Sequence, residues 1–206
     1  MNNYEYIVAS LPDIAAGWKY SEGQSADTIL EEIRRALSGK DDKLVAQLLD
    51  GFKDEALTQQ FYTEALSSKN RFIREYFRFD YHLRCAKAAY INHALDRPDG
   101  TDIMSAEDED ENILFDAGEF EERAEVEAAL AIDGLLEREK ALDDLYWSKT
   151  LELTTFDYFD IEAILGFIAR LHIIDRWLKL DEQTGREMFK RLVDEIRGTF
   201  TGVTIE

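Results

Sequence analysis

From Lys69 to Leu95 the chain runs without glycine or proline, and Phe72, Tyr76, Phe79, Leu83, Ala86 and Tyr90 recur at steps of four and three. That spacing lines the six side chains along one stripe of a helix. At 1.5 Å per residue the helix is about 40 Å long. A second stretch, Phe156 to Leu180, is apolar nearly all round, as in a helix buried on several sides. The pairs Phe79-Asp80 and Phe159-Asp160 open the apolar runs that lead to His93 and through His172. Two long helices, near 69–95 and 157–179, are therefore expected to pack in one core.

Shorter amphipathic segments precede them. Ser25 or Asp27 can cap a helix to Leu37, with Gly39 at its C-terminal cap. Asp41 can cap the next, whose Leu44, Val45, Leu48 and Leu49 share a face before Gly51 ends it. A third spans Glu55 to Leu66, with Leu57, Phe61, Ala65 and Leu66 inward. Asp96-Arg97-Pro98-Asp99-Gly100 stops the long helix. A helix resumes near Glu119 and runs toward Leu153, with Val126, Leu130, Leu135, Leu142 and Leu145 as a looser apolar pattern. Asp181 can cap a last helix to Arg197. The termini differ: Tyr4–Pro12 and Gly198–Glu206 have β-type composition and can pair as short strands, although the first also reads as the extended start of a helix. The expected fold is a bundle of about seven helices in one domain. An N-terminal half (1–97) and a C-terminal half (118–206) flank an acidic linker at 98–117.

The net charge of −20 weighs against nucleic-acid binding, which needs clustered Lys and Arg, and against adsorption to anionic lipid. Between 101 and 150, acids outnumber bases by 17 to 4, so most of the excess lies in one window. Its Glu107–Glu111 run of five like charges is of the self-repelling, solvated kind. A single cysteine, Cys85, leaves no intrachain disulfide and no cysteine zinc cluster. The start has no basic region ahead of an apolar one, and no apolar run reaches a membrane span. The sequence reads as soluble and cytoplasmic, without membrane insertion.

Candidate chemistry is sparse. A di-iron bundle needs Glu-x-x-His pairs, but Phe79, Tyr90 and Ala169 stand three before His82, His93 and His172. His93 and His172 are read as core or edge residues and His82 as exposed. Residues 108–119 approach a calcium loop, with Asp108, Asp110, Asn112, Asp116 and Glu119 in ligand positions. Ile113 stands where the loop requires glycine, which favours a solvated linker. Cys85, mid-helix among alanines, reads as a packed thiol. No phosphate loop or nucleophile elbow occurs. No catalytic residue, metal or cofactor is assigned. Arg71, Arg74 and Arg78 lie at i, i+3 and i+7 on one helical face. Two readings stay open for them: pairing within the chain, Glu75 included, or docking of an acidic partner.

Three stretches carry a family resemblance: Tyr4–Asp13 with its Ser-Leu-Pro, Phe79-Asp80-Tyr81-His82-Leu83-Arg84, and Phe156-Asp157-Tyr158-Phe159-Asp160. Together they resemble the DUF2764 family, which is itself similar to the C subunits of V/A-type rotary ATPases, known as d subunits in eukaryotes. Those proteins also open with Tyr-x-Tyr and an apolar segment, and begin long helices with an aromatic-acidic pair. They have three such repeats, whereas two are visible here, at 79 and 159. The resemblance implies a non-catalytic component that links the membrane rotor ring to the central stalk through protein partners. The competing expectation is an acidic helical adaptor or regulator that binds a basic protein. A third is an enzyme with an unrecognised carboxylate site.

Overall fold

A computed structural model describes residues 4–15, 18–98, 101 and 120–200, with 181–200 as backbone alone. The described residues form eight α-helices: α1 (Glu5–Ser10), α2 (Ala26–Ala36), α3 (Gly39–Asp50), α4 (Gln59–Leu66), α5 (Arg71–Ala94), α6 (Arg123–Leu130), α7 (Leu135–Thr154) and α8 (Ile161–Phe200). A 3₁₀ turn at Asp54–Ala56 precedes α4, and no strand occurs among the described residues. The mostly helical class agrees with the hydrophobic pattern.

Helix α5 is the centre of the bundle. Asn70 caps it, its side-chain oxygen accepting from the Ile73 amide at 3.0 Å. Asp96, at φ +52°, turns the chain away at the other end; a short polar side chain tolerates that left-handed conformation. Phe72, Ile73, Tyr76 and Phe77 enter the main core, shared with α2, α3, α4 and α8. Phe79 and Leu83 enter a second cluster with Phe120, Val126, Leu130 and Leu142. The expected stripe is thus split between two cores, and its last member, Tyr90, is exposed.

The second long helix begins at Ile161, where Asp160 accepts from the Ala163 amide at 3.1 Å. Ile164, Leu165, Ile168 and Leu171 are fully buried on it. It packs against α7 and also meets α2, α3 and α5. Gly166 lets the end of α7 approach: a Cβ there would stand 2.5 Å from the Thr154 methyl carbon.

Several expected boundaries are corrected. The segment 156–197 holds one helix: Asp181 lies inside α8, which continues to Phe200. No proline interrupts it, and one Asp costs a helix interior only about 0.7 kcal/mol or less. The expected helix from 119 to 153 is two, broken at Asp133-Gly134. Ser38 caps α3 in place of Asp41, accepting from the Asp41 amide, and Gly39 opens α3 where it was expected to close α2. The 55–66 helix divides into the 3₁₀ turn and α4. Of the two readings open for Tyr4–Pro12, strand or start of a helix, the helix is found, as α1. Docking fixes it: Tyr4 donates from its hydroxyl to Asp41 at 2.5 Å and from its amide to the Phe159 carbonyl at 2.7 Å, and Ile7 is buried. Its proposed partner strand begins with 198–200, which belong to α8, and 201–206 lie outside the described residues. No helix among the described residues is long and apolar enough to cross a membrane.

Candidate interaction surface

The three arginines do not form one open cationic face. Arg71, the first residue of α5, turns to the α7–α8 connection and donates to the Leu153 carbonyl and to Asp157, both at 2.6 Å. Arg74 donates to Glu75 at 3.0 Å and to the Ser68 carbonyl at 3.1 Å. Arg78 reaches the other Glu75 oxygen at 3.0 Å. Glu75 therefore bridges two of them. All three stay partly open to solvent.

Arg71 leads to the surface feature that composition alone did not single out. The connection between α7 and α8 carries Phe156, Tyr158 and Phe159, which are 84%, 67% and 44% exposed. Its backbone is nonetheless held at several points. Arg71 grips Asp157, the Asp157 amide bonds the Thr154 carbonyl at 3.1 Å, and Thr155 bonds the Leu151 carbonyl at 2.8 Å. Asp160 caps α8, and the Tyr4 amide takes the Phe159 carbonyl. A fixed loop with outward aromatic rings suits protein recognition, because aromatic anchors dominate interface energies and lose little entropy when already positioned.

Carboxylates lie under this loop. Glu162 accepts from Asn70 at 2.9 Å through one oxygen, while the other is buried with no hydrogen-bond partner among the described residues. Burial, and then the neighbouring Asp160, raise the pKa of Asp157; burial foremost raises that of Glu162.

Elsewhere the polar side chains act as fasteners. Asp80 is buried inside α5 and does not begin a helix as Asp160 does, so the Phe-Asp echo is not a structural repeat. It accepts from the Tyr62 hydroxyl at 2.5 Å, from the Tyr146 hydroxyl at 2.6 Å, and from Arg84 at 3.1 Å. Burial and the adjacent carboxylate push both phenols well above their usual pKa, which keeps them neutral donors. Asp143 on α7 similarly accepts from Arg176 and, at 2.6 Å, from the Trp177 indole on α8.

The histidines are dispersed. His82 is buried against Phe120, 5.1 Å between ring centroids, where the sequence pattern placed it at the surface. A second packing face on α5 explains the difference. His93 is exposed, and His172 stacks on Phe52 at 4.1 Å. Burial foremost, then the nearby Arg176 charge, lower the His172 pKa. No group of three metal-binding side chains occurs among the described residues. The calcium-like stretch 108–119 lies outside them, as does nearly all of the linker at 98–117. Cys85 is half-buried, and burial raises its thiol pKa, which disfavours a reactive thiolate.

The sequence profile described as Protein of unknown function (DUF2764) matches residues 50–199. The chain belongs to the DUF2764 family. The matched region of this DUF2764 protein runs from the end of α3 into the last turn of α8, and contains both the Asp80 fastening and the aromatic loop. Helix α1 lies outside it. No curated protein and no solved structure matches the chain.

Proposed function

We propose that this DUF2764 protein is a non-catalytic coupling subunit of a V/A-type rotary ATPase, seated between the membrane rotor ring and the central stalk. It is placed on the cytoplasmic side, held to the membrane by protein partners. The observation that carries the docking role is the aromatic loop: Phe156 and Tyr158 are solvent-facing on a backbone held by Arg71, Asp160 and Tyr4. Isolated exposed apolar residues need no explanation, but a cluster on a fixed loop is of the kind that partners cover. The rotary-ATPase assignment rests on the similarity of the DUF2764 family to the C subunits of those enzymes, which also open with Tyr-x-Tyr and begin long helices with an aromatic-acidic pair. Here Phe159-Asp160 begins one, whereas Phe79-Asp80 lies inside α5. In this reading Arg71 positions the loop, and Arg74 and Arg78 supply a flanking contact for carboxylates.

A second reading, an acidic adaptor for a basic protein, is favoured by Asp157 and Asp160 standing among the same aromatics in a chain of net charge −20. One experiment separates the two. Tagged wild-type protein is used to recover partners from native membranes, beside Phe156→Ala/Tyr158→Ala and Arg74→Glu/Arg78→Glu variants. Wild type should recover ATPase subunits, and the aromatic variant should lose most of them while its melting temperature is unchanged. Failure of wild type to recover any ATPase component refutes the rotary assignment. Undiminished recovery by the aromatic variant removes the loop from the interface, and the arginine variant tests the flanking face in the same way.

A further inference from the structure

Helices α1 and α2 enclose a groove of about 300 Å³, with Ile7, Leu11, Ile29 and Ile33 among its lining and Tyr6 and Glu32 also bordering it. That volume lies at the lower end of what binding pockets hold, enough for one or two side chains. Tyr6 is 89% exposed. Glu32 is the only charged residue lining the groove, and it has no ion pair among the described residues. Its neighbours on α2 are satisfied: Arg34 pairs with Asp42 and Arg35 with Glu31. An apolar floor, a free carboxylate and an exposed phenol ring together fit an aliphatic side chain followed by a cation. The cation would pair with Glu32 or lie over the Tyr6 ring.

We infer that the α1–α2 groove binds a segment of a partner protein in which leucine-like residues are flanked by arginine or lysine. The inference rests on the reading of this chain as part of an assembly and names the chemistry of the partner. The location supports it. Tyr4, next to α1, donates its amide to the Phe159 carbonyl, which ties the helix that walls the groove to the aromatic loop. The helix that walls the groove is tied down by the Tyr4–Asp41 bond, so the site exists before a partner arrives.

The test uses the full-length protein and a short fluorescent peptide with a central Leu-Leu flanked by arginines, read by anisotropy. A counterpart carries glutamates in their place. The arginine peptide should bind and the glutamate peptide should not. Glu32→Lys, and Ala36→Trp at the groove edge, should each weaken binding by about tenfold, a change of about 1.4 kcal/mol. Glu127→Lys, a reversal of an exposed carboxylate on α6, should change it less than about twofold. Equal weakening by Glu32→Lys and Glu127→Lys would show attraction to the acidic chain as a whole and overturn the inference. So would full-strength binding by Ala36→Trp, or no binding of the arginine peptide by wild type. If Ala36→Trp melts below the assay temperature, Tyr6→Ala replaces it, with the same weakening expected. Failure here beside successful recovery of ATPase subunits from membranes refutes the groove alone. Specific peptide binding beside failed recovery refutes the rotary assignment and leaves the groove standing.

Discussion

Replacement of Asp80 by asparagine probes what fastens α4, α5 and α7 to one another. The carboxylate accepts two phenol protons and the Arg84 guanidinium, and is only 4% exposed. An amide of the same shape keeps one acceptor oxygen and adds two donors that face other donors. One phenol therefore keeps a bond, now to a neutral acceptor, and the other loses its partner in a buried position. Hydrogen bonds to charged groups are worth about 1.5–3 kcal/mol, and an orphaned buried donor costs about 1–3 kcal/mol. The Arg84 pair adds little, because its side chain is nearly half exposed. The expected loss for Asp80→Asn is about 3 kcal/mol. In a domain of this size that lowers the melting temperature by roughly 6–12 °C.

A double-mutant cycle sharpens the test. Tyr62→Phe in the wild-type background removes one charge-assisted bond, at about 1.5–2 kcal/mol. In the Asp80→Asn background it removes the conflict as well as the bond, so its cost falls to about half or less. Urea denaturation at neutral pH measures all four proteins. A loss below about 1 kcal/mol for Asp80→Asn, or strict additivity in the cycle, would refute the view that the phenols are held by this carboxylate.

Three other perturbations follow from particular contacts. Gly166→Ala places a Cβ 2.5 Å from the Thr154 methyl carbon; overpacking of about 1–3 kcal/mol outweighs the gain of about 1 kcal/mol in helix propensity, and Thr154→Ser in the same chain should restore the melting temperature. Glu162→Gln tests linkage. The raised folded-state pKa of Glu162 means the folded form binds its proton more tightly. Its favourable contribution is present below the unfolded pKa of about 4.3 and is lost as pH rises through the folded pKa. The variant should therefore melt higher than wild type at pH 7 and gain less on acidification toward pH 5; equal pH dependence of the two proteins would refute this. Arg71→Ala releases Asp157 and the Leu153 carbonyl, so amides of 156–159 should exchange about tenfold faster while those of α5 keep their protection, as read by hydrogen exchange.

What the sequence made legible followed from local rules. The span of α5, the Ser25 cap and the Gly51 end of α3 each depend on residues within a few positions of one another, and each is present. Helix α1 stayed open between strand and helix, because aromatic and β-branched residues fit a docked helix as well as a pleated edge. Partners at Asp41 and Phe159 decide the matter. His82 was misplaced for a related reason: a single stripe predicts one buried face, whereas α5 is covered on two. The register of Arg71, Arg74 and Arg78 was correct, yet their roles are set by distant groups, Leu153 and Asp157 for the first. Asp80 carried a usable signal. A lone acid within an apolar stripe, with Arg84 one turn on, marks a buried charge that needs donors, and the long-range donors prove to be tyrosines.

The aromatic loop supplies an anchor but not a whole interface. A fully buried aromatic side chain contributes about 200 Å². At the exposures observed, Phe156, Tyr158 and Phe159 together leave roughly 400 Å² for a partner to cover. At about 25 cal/mol per Å² this is roughly 10 kcal/mol of gross attraction. Association and the ordering of the partner cost an amount of the same order, about 4–15 kcal/mol. The loop alone thus gives weak binding, and a stable interface needs about 800 Å² on each side. Tyr6, on the helix that the Tyr4–Phe159 bond ties to the loop, adds roughly 180 Å². The loop and Tyr6 together thus offer roughly 580 Å² of aromatic anchor, most of one side of a standard interface, whereas Arg74 and Arg78 offer only partly exposed charges. Loss of binding on truncating the aromatics should accordingly exceed the loss on reversing Arg74 and Arg78, and the opposite ranking in the membrane recovery experiment would move the interface to the middle of α5.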